Sequence, residues 1–249
     1  MAERAPDPEF VASFFTLTGA GFGEPPRHGF AARCEAAAAA GFTGIGLHVD
    51  DLARTVAGGL DVDDMRDVLA AAGLRVVEIE FLAGWALDDE GPGGEGVAAV
   101  AEAFGGRHVS AGEFRGGELD PVAAAKRLAE AAGRAAERDL LVAVEAFPWS
   151  AIRDYGTAVD LVRRSGAPNA GLLVDVWHFF NGGASPTCSR TCPERAWRRS
   201  SSTTARGSTT TSWSTPAPPG GCRGRASSTS SGWSRRWNGR GSRAPTASR

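Results

Sequence analysis

The sequence predicts an α/β fold, a parallel (β/α)8 barrel in which about six βα units are encoded and the last two are replaced by a tail of different character. Three observations carry this expectation. Apolar runs rich in β-branched and aromatic residues recur about every thirty residues. Ala-rich segments with helical spacing lie between them. The runs are near-continuously apolar instead of alternating, as strands of a parallel sheet covered on both faces are.

Taken in order, the strand runs are FVASFFTL at 10–17, FTGIGLHV at 42–49, LRVVEIEFL at 74–82, RHVSAGEF at 107–114, LLVAVEAF at 140–147 and AGLLVDVW at 170–177. The helical segments are HGFAARCEAAAAAG, VDDMRDVLAAAG, GVAAVAEAFGG, PVAAAKRLAEAAGRAAERD and DYGTAVDLVRRSG. Several end in the Gly expected just past a helix C-terminus. Asp61, Asp63 and Asp64 read as helix-start charges favourable to the dipole, not as a calcium loop, because the Gly and distal Glu of such a loop are missing. Ala36 to Ala40 form a small-residue packing face, and His28 and His108 read as solvated or satisfied in the core. A doubly wound nucleotide-binding sheet fits the same alternation, but its only phosphate loop would be Gly19-Ala20-Gly21-Phe22-Gly23. That stretch has the wrong spacing and is followed by Pro25-Pro26, so a flexible loop is the better reading. Length favours the barrel: six units occupy residues 1–186, and residues 187–249 match two more in number.

Composition divides the chain at the same place. The formal net charge of −2 is a cancellation: residues 1–186 hold 15 Lys+Arg against 28 Asp+Glu, net −13, whereas residues 187–249 hold 12 Arg against the single Glu194, net +11. The second part contains 14 Ser and 10 Thr but no Leu, Ile, Val, Met, Phe or Tyr. Such an alphabet buries too little apolar area to offset the entropy of ordering the backbone, so a disordered, low-complexity tail is expected. Residues 1–186 are expected to be an incomplete barrel domain. No apolar stretch is long enough to span a membrane, and no signal peptide is seen at the N-terminus, which makes a cytoplasmic location the default. A lone Cys34 in the first part agrees with a reducing compartment.

In a parallel barrel, polar residues at the C-terminal strand ends surround the site. Four strands supply them here: His48, followed by Asp50 and Asp51; Glu78 and Glu80; Glu145; and Asp175 with His178. A carboxylate within an apolar run costs several kcal/mol unless it is paired or binds a cation. A shared divalent metal accounts for both Glu145 and Asp175. Oxygen ligands suit Mg²⁺ or Mn²⁺, and a nearby imidazole widens the choice to Co²⁺ or Zn²⁺. The alternative is that each carboxylate caps a helix or pairs with an arginine such as Arg153 or Arg190.

The strand-end Glu145, followed about thirty residues on by Asp175-Val176-Trp177-His178, resembles the xylose isomerase-like TIM barrels, the sugar phosphate isomerase/epimerase superfamily, over residues 10–186. GFTGIGLHVDDL, LRVVEIEFLAGW and the NGG after His178 are similar to that family as well. The resemblance implies that Glu145 and Asp175 are metal ligands and His178 a ligand or a contact to a substrate oxygen. It implies two further ligands, a seventh-strand His or Gln and an eighth-strand Glu, and this sequence has neither. The activity it implies is divalent-metal-dependent isomerisation or epimerisation of a small keto sugar, sugar phosphate or related hydroxy-carbonyl compound, with proton transfer through a metal-held enediolate. Glu145 would be ligand and acid/base; Glu80, His48 and Trp85 would contact substrate, Trp85 either lining the pocket or covering the rim. Alternatives are an inosose-type polyol dehydratase, a metal-dependent phosphodiesterase or abasic-site endonuclease, and a barrel fragment with no activity. The acidic first part argues against a nucleic-acid partner; a small carbohydrate-like molecule is the expected one.

The tail has the composition of a GC-rich coding sequence read out of frame. With GC-rich codons, Trp197 to Ala205 read from each third base become Ala-Ala-Val-Gln-Leu-Asp-Asp-Gly, an apolar strand ending in Gln and acids. The same shift restores amphipathic pattern at three other places, which points to a slip between about Gly183 and Thr187. Rival readings of the tail are a nucleic-acid-binding arm built on its Arg residues with Trp197, Trp213, Trp233 and Trp237, a zinc site from Cys188, Cys192 and Cys222 with poor spacing, and a Ser/Arg-rich linker. The chain as written is expected to be inactive.

Overall fold

The computed structural model describes residues 9–21, 23–87, 93–181 and 211–214. Six strands run parallel, side by side in sequence order: β1 (Val11–Ala12), β2 (Gly44–His48), β3 (Arg75–Ala83), β4 (His108–Gly112), β5 (Leu141–Glu145) and β6 (Ala170–Asp175). Helices connect them: α1 (Phe14–Thr18) and α2 (Phe30–Ala39) after β1, α3 (Val49–Ala57) and α4 (Val62–Ala72) after β2, α5 (Gly93–Phe104) after β3, α6 (Pro121–Ala136) after β4, α7 (Tyr155–Ser165) after β5 and α8 (Val176–Asn181) after β6. This is a half-barrel, the expected alternation of βα units.

The helices start and stop where local chemistry dictates. Asp61 and Asp64 close a reciprocal capping box on α4, which confirms those acids as helix-start residues, and Gly73 ends the helix with φ +66°. Asp120 accepts from the amides of Val122 and Ala123 ahead of α6, and Asp154 caps α7 through Thr157 N–H. Between helices and sheet lies one apolar core. Ile45, Leu47, Ile79, Val109, Val142 and Val144 of the strands pack with Cys34, Met65, Val100, Leu128 and Leu161 of the helices. Cys34 is wholly buried, and burial pushes its thiol up to about 11. His108 is satisfied in the core by Glu78.

Three runs that read as strands are shorter than their apolar content suggests. The first keeps only Val11–Ala12 in the sheet; Phe14 then donates its amide to the Glu80 carboxylate at 2.7 Å and the chain turns into α1. The second stops at His48, whose Nδ1 accepts from Asp50 N–H and opens α3. The sixth stops at Asp175, whose Oδ1 accepts from the amides of Trp177 and His178 and opens α8. In each case a side-chain hydrogen bond competes with the strand ladder, which apolar periodicity does not register.

The tail lies for the most part outside the described residues. Thr211–Ser214 form β7, antiparallel to β6, with Leu173 opposite Trp213. The expectation of an unstructured tail does not extend to this short stretch: β6 offers a row of backbone groups, and Thr and Trp favour extended structure. Among the described residues β1 and β7 are the sheet edges, and the sheet does not close on itself. No described helix is long and apolar enough to cross a membrane.

One buried ion pair ties the first two units together. Arg33 of α2 meets Asp51 of α3 at 2.6 Å, both side chains under 5% exposed, with the guanidinium 5.3 Å from the Phe14 ring and 5.6 Å from that of Phe30. Removing one partner strands a buried charge, whereas removing both does not. Asp51→Ala is expected to cost about 3–5 kcal/mol in urea unfolding, and Arg33→Met with Asp51→Leu to recover most of that loss; an Asp51→Ala chain within about 0.5 kcal/mol of wild type would contradict the assignment.

Candidate metal centre

Glu145 and Asp175 are the last residues of adjacent parallel strands, so their side chains emerge side by side at the C-terminal edge of the sheet. Both are 5% exposed. The first turn of α8 then brings His178 back over them, three residues beyond Asp175. Its Nε2 lies 3.7 Å from Glu145 Oε1 and 3.8 Å from Asp175 Oδ2, and one ligand atom from each of the three residues lies within 4.8 Å of the others.

These groups face each other without hydrogen-bonding. Two ligand atoms about 2.1 Å from one cation sit about 3–4 Å apart, so the imidazole-to-carboxylate distances suit a shared ion better than a direct bond. One oxygen of Asp175 is committed to capping α8 and the other is turned to His178, so the capping alternative holds for half of this carboxylate. Tyr155, the only tyrosine of the chain, accepts the Asp175 amide at 2.8 Å and fixes the strand end. Among the described residues no arginine pairs with Glu145 or Asp175, and Arg190 lies outside them. His178 Nδ1 is buried without a partner. The donor set of two carboxylates and one imidazole fits Mn²⁺, Mg²⁺, Co²⁺ or Zn²⁺.

Electrostatics set Glu145 apart. Burial drives its pKa well above the usual carboxylate range, and the charges of Asp175, Glu78 and Glu80 drive it further. Burial lowers that of His178, against a smaller opposing pull from Asp175. A cation held among these groups offsets the crowding that a proton otherwise has to relieve.

Around this edge lies a cavity of about 540 Å³. Glu78 and Glu80 of β3 project into it, two residues apart and hence on one face of the strand. Burial works against ionised Glu78, but bonds from His108 at 3.3 Å and from Ser110 Oγ at 2.6 Å outweigh it and bring its pKa down. Burial and the neighbouring Glu78 charge hold Glu80 protonated well above the usual range, opposed by the Phe14 amide. Gly46 makes room for that bond: a Cβ there would stand 2.9 Å from Phe14 N and collide with Glu80 Oε1.

Two expected substrate contacts sit elsewhere. Trp85 is 1% exposed and packs in the core beneath the rim, because Gly84, at φ +76°, reverses the chain as soon as β3 ends. His48 stands behind the cavity wall, its Nδ1 engaged by Asp50 N–H and its ring in contact with Phe14, Phe15 and Phe81. Glu80, Glu145, Asp175 and His178 do converge on the cavity. Sequence reasoning missed its aromatic lining, Phe15, Phe81, Phe114, Phe147 and Trp149; the signal was present in EAFPW, where two rings follow the Glu145 strand end.

A family model described as xylose isomerase-like TIM barrel matches residues 34–200. Among solved structures, the chain is similar to a xylose isomerase-like TIM barrel/4-hydroxyphenylpyruvate dioxygenase fusion protein, at 19% identity and a TM-score of 0.58 over 74% of this chain and 29% of that one. It is also similar to a xylose isomerase domain containing protein from Salmonella typhimurium LT2, at 20% identity and TM-score 0.56 over 69% and 61% of the two chains. A third similar structure is the zinc-bound IolI protein, at 17% identity and TM-score 0.54 over 62% and 60%. The chain thus spans less than two thirds of the length of each of these three. No curated protein matches it. The matched segment covers more than half of the chain and contains β2 to β6 with Glu145, Asp175 and His178, and the chain belongs to the xylose isomerase-like TIM barrel family.

Proposed function

We propose that the site is that of a divalent-metal-dependent isomerase or epimerase of a small keto sugar or related hydroxy-carbonyl compound, and that the chain as it stands binds without turning over. The observation that carries this reading is the meeting of Glu145, Asp175 and His178 at one strand edge, with ligand atoms within 4.8 Å of one another. When bound, the cation supplies Lewis-acid stabilisation of negative charge on adjacent carbonyl and hydroxyl oxygens. Glu145 is ligand and acid/base: its raised pKa suits a carboxylate that takes a proton from the hydroxyl-bearing carbon next to the carbonyl and returns it to either carbon of the pair. His178 Nε2 holds a substrate oxygen when it is not a ligand. Glu80, kept protonated by burial and by Glu78, donates a hydrogen bond to the far end of the substrate. Inversion at carbon needs a second acid/base group on the opposite face, and none is supplied by the described residues. The acidic cavity disfavours nucleic acid, and we place the protein in the cytoplasm.

We also propose that residues 187–249 are an out-of-frame translation of the seventh and eighth units. The coding sequence tests this: a single-base insertion or deletion among the Gly183–Thr187 codons is expected to open a frame encoding apolar strands with Gln and Glu ligands. An uninterrupted frame with no such alternative would refute the idea. The frame-restored chain is then expected to exchange a keto-sugar α-proton with solvent in a Mn²⁺-dependent manner, and the present chain to leave it unexchanged.

Metal binding by the present chain is measured directly. In a titration followed by electron paramagnetic resonance, Glu145→Gln and Asp175→Asn are each expected to weaken Mn²⁺ binding by about tenfold or more. Because protons compete for a carboxyl of raised pKa, binding is expected to weaken as pH falls, and Glu145→Gln to flatten that dependence. Unchanged Mn²⁺ affinity in both variants would rule out the centre.

A further inference from the structure

The wall and floor of the cavity differ in chemistry. Phe15, Phe81, Phe114, Phe147 and Trp149 form an unbroken arc, with successive ring centroids 6.1, 5.3, 4.9 and 5.4 Å apart. The floor carries the four carboxylates, and among the described lining residues there is no Lys or Arg. We propose that this cavity selects an uncharged hydroxy-carbonyl compound with a flat ring face, stacked on Phe147 and Trp149, and excludes phosphate esters; the identity of the reacting group rests on the function proposed above.

Phosphate recognition needs arginine or lysine, or unengaged backbone amides. The amides of Trp177 and His178, which open α8 beside the cavity, are already taken by Asp175. With Glu80 protonated, one divalent cation carries two positive charges against the three carboxylates of Glu78, Glu145 and Asp175, so its presence leaves no surplus to attract a dianion. Phe147 and Trp149, by contrast, offer aromatic surface to the C–H face of a cyclic molecule beside His178, whose ring meets both at a steep angle. The curvature of the arc depends on Gly112, where a Cβ would lie 2.8 Å from the Phe147 ring and 3.2 Å from that of Phe114. Trp149 is 55% exposed and lines the cavity beside Phe147. A volume of about 540 Å³ accommodates one substituted ring.

Ligand-observed saturation-transfer NMR on the full chain, with and without Mg²⁺, tests the selection with three probes: 2-hydroxycyclohexanone, dihydroxyacetone and dihydroxyacetone phosphate. The ring is expected to bind about tenfold more tightly than dihydroxyacetone, and the phosphate ester at least about tenfold more weakly than dihydroxyacetone. Trp149→Ala and the milder Phe147→Leu are expected to abolish most of the ring preference, with circular dichroism reporting an unchanged fold. Equal or tighter binding of the phosphate ester, a ring preference untouched by Trp149→Ala, or no binding of any probe overturns the proposal. If the ring preference survives while Mg²⁺ strengthens no probe, the metal reading fails and this one stands. If Mg²⁺ strengthens binding but the phosphate ester is preferred, the outcome is reversed.

Discussion

Placing four carboxylates under 6% exposure at one edge of an apolar sheet costs several kcal/mol for each one left ionised and unpaired, and the half-barrel is organised around how each is relieved. Glu78 is relieved by His108 and Ser110 on the neighbouring strand. Glu80 is relieved by an amide from the turn after β1 and by retaining its proton. Asp175 spends one oxygen on the first amides of α8. Glu145 accepts no protein hydrogen bond among the described residues and has only His178, 3.7 Å away. That imbalance makes Glu145 the group most in need of a cation or a proton, and it is also the group to which acid/base work is assigned.

The relief of these charges shapes the backbone as well. The Phe14 amide reaches Glu80 only because β1 ends after two residues and Gly46 leaves space beneath the bond. His178 reaches the carboxylates only because Asp175 ends β6 and starts a helix at once. The early ends of β1 and β6 therefore coincide with the cavity, where side-chain hydrogen bonds override local strand preference.

Incompleteness has a physical side too. Among the described residues the six parallel strands do not close, and the outer edge of β6 is taken by Thr211–Ser214, antiparallel to it. In a closed (β/α)8 barrel that edge faces a parallel seventh strand. Here the cavity is walled by aromatic rings from the first, third, fourth and fifth units, and its carboxyl groups come from β3, β5 and β6.

Much of this was legible in the residues themselves. Period and composition determined the order of βα units, the parallel sheet, the helix-start position of Asp61, Asp63 and Asp64 and the placing of Glu145 and Asp175 at neighbouring strand ends, because burial of apolar runs and the cost of a lone carboxylate are properties of local sequence. The positions of Trp85 and His48 were decided only in three dimensions. A left-handed glycine turn at Gly84 buried one, and a capping bond to Asp50 held the other behind Phe15 and Phe81. The aromatic arc was likewise decided by the tertiary structure, since its five rings come from four different strand ends that only the parallel register brings together. Periodicity reports which residues leave water; which groups then face each other depends on contacts between residues far apart in the chain, and no local pattern encodes those.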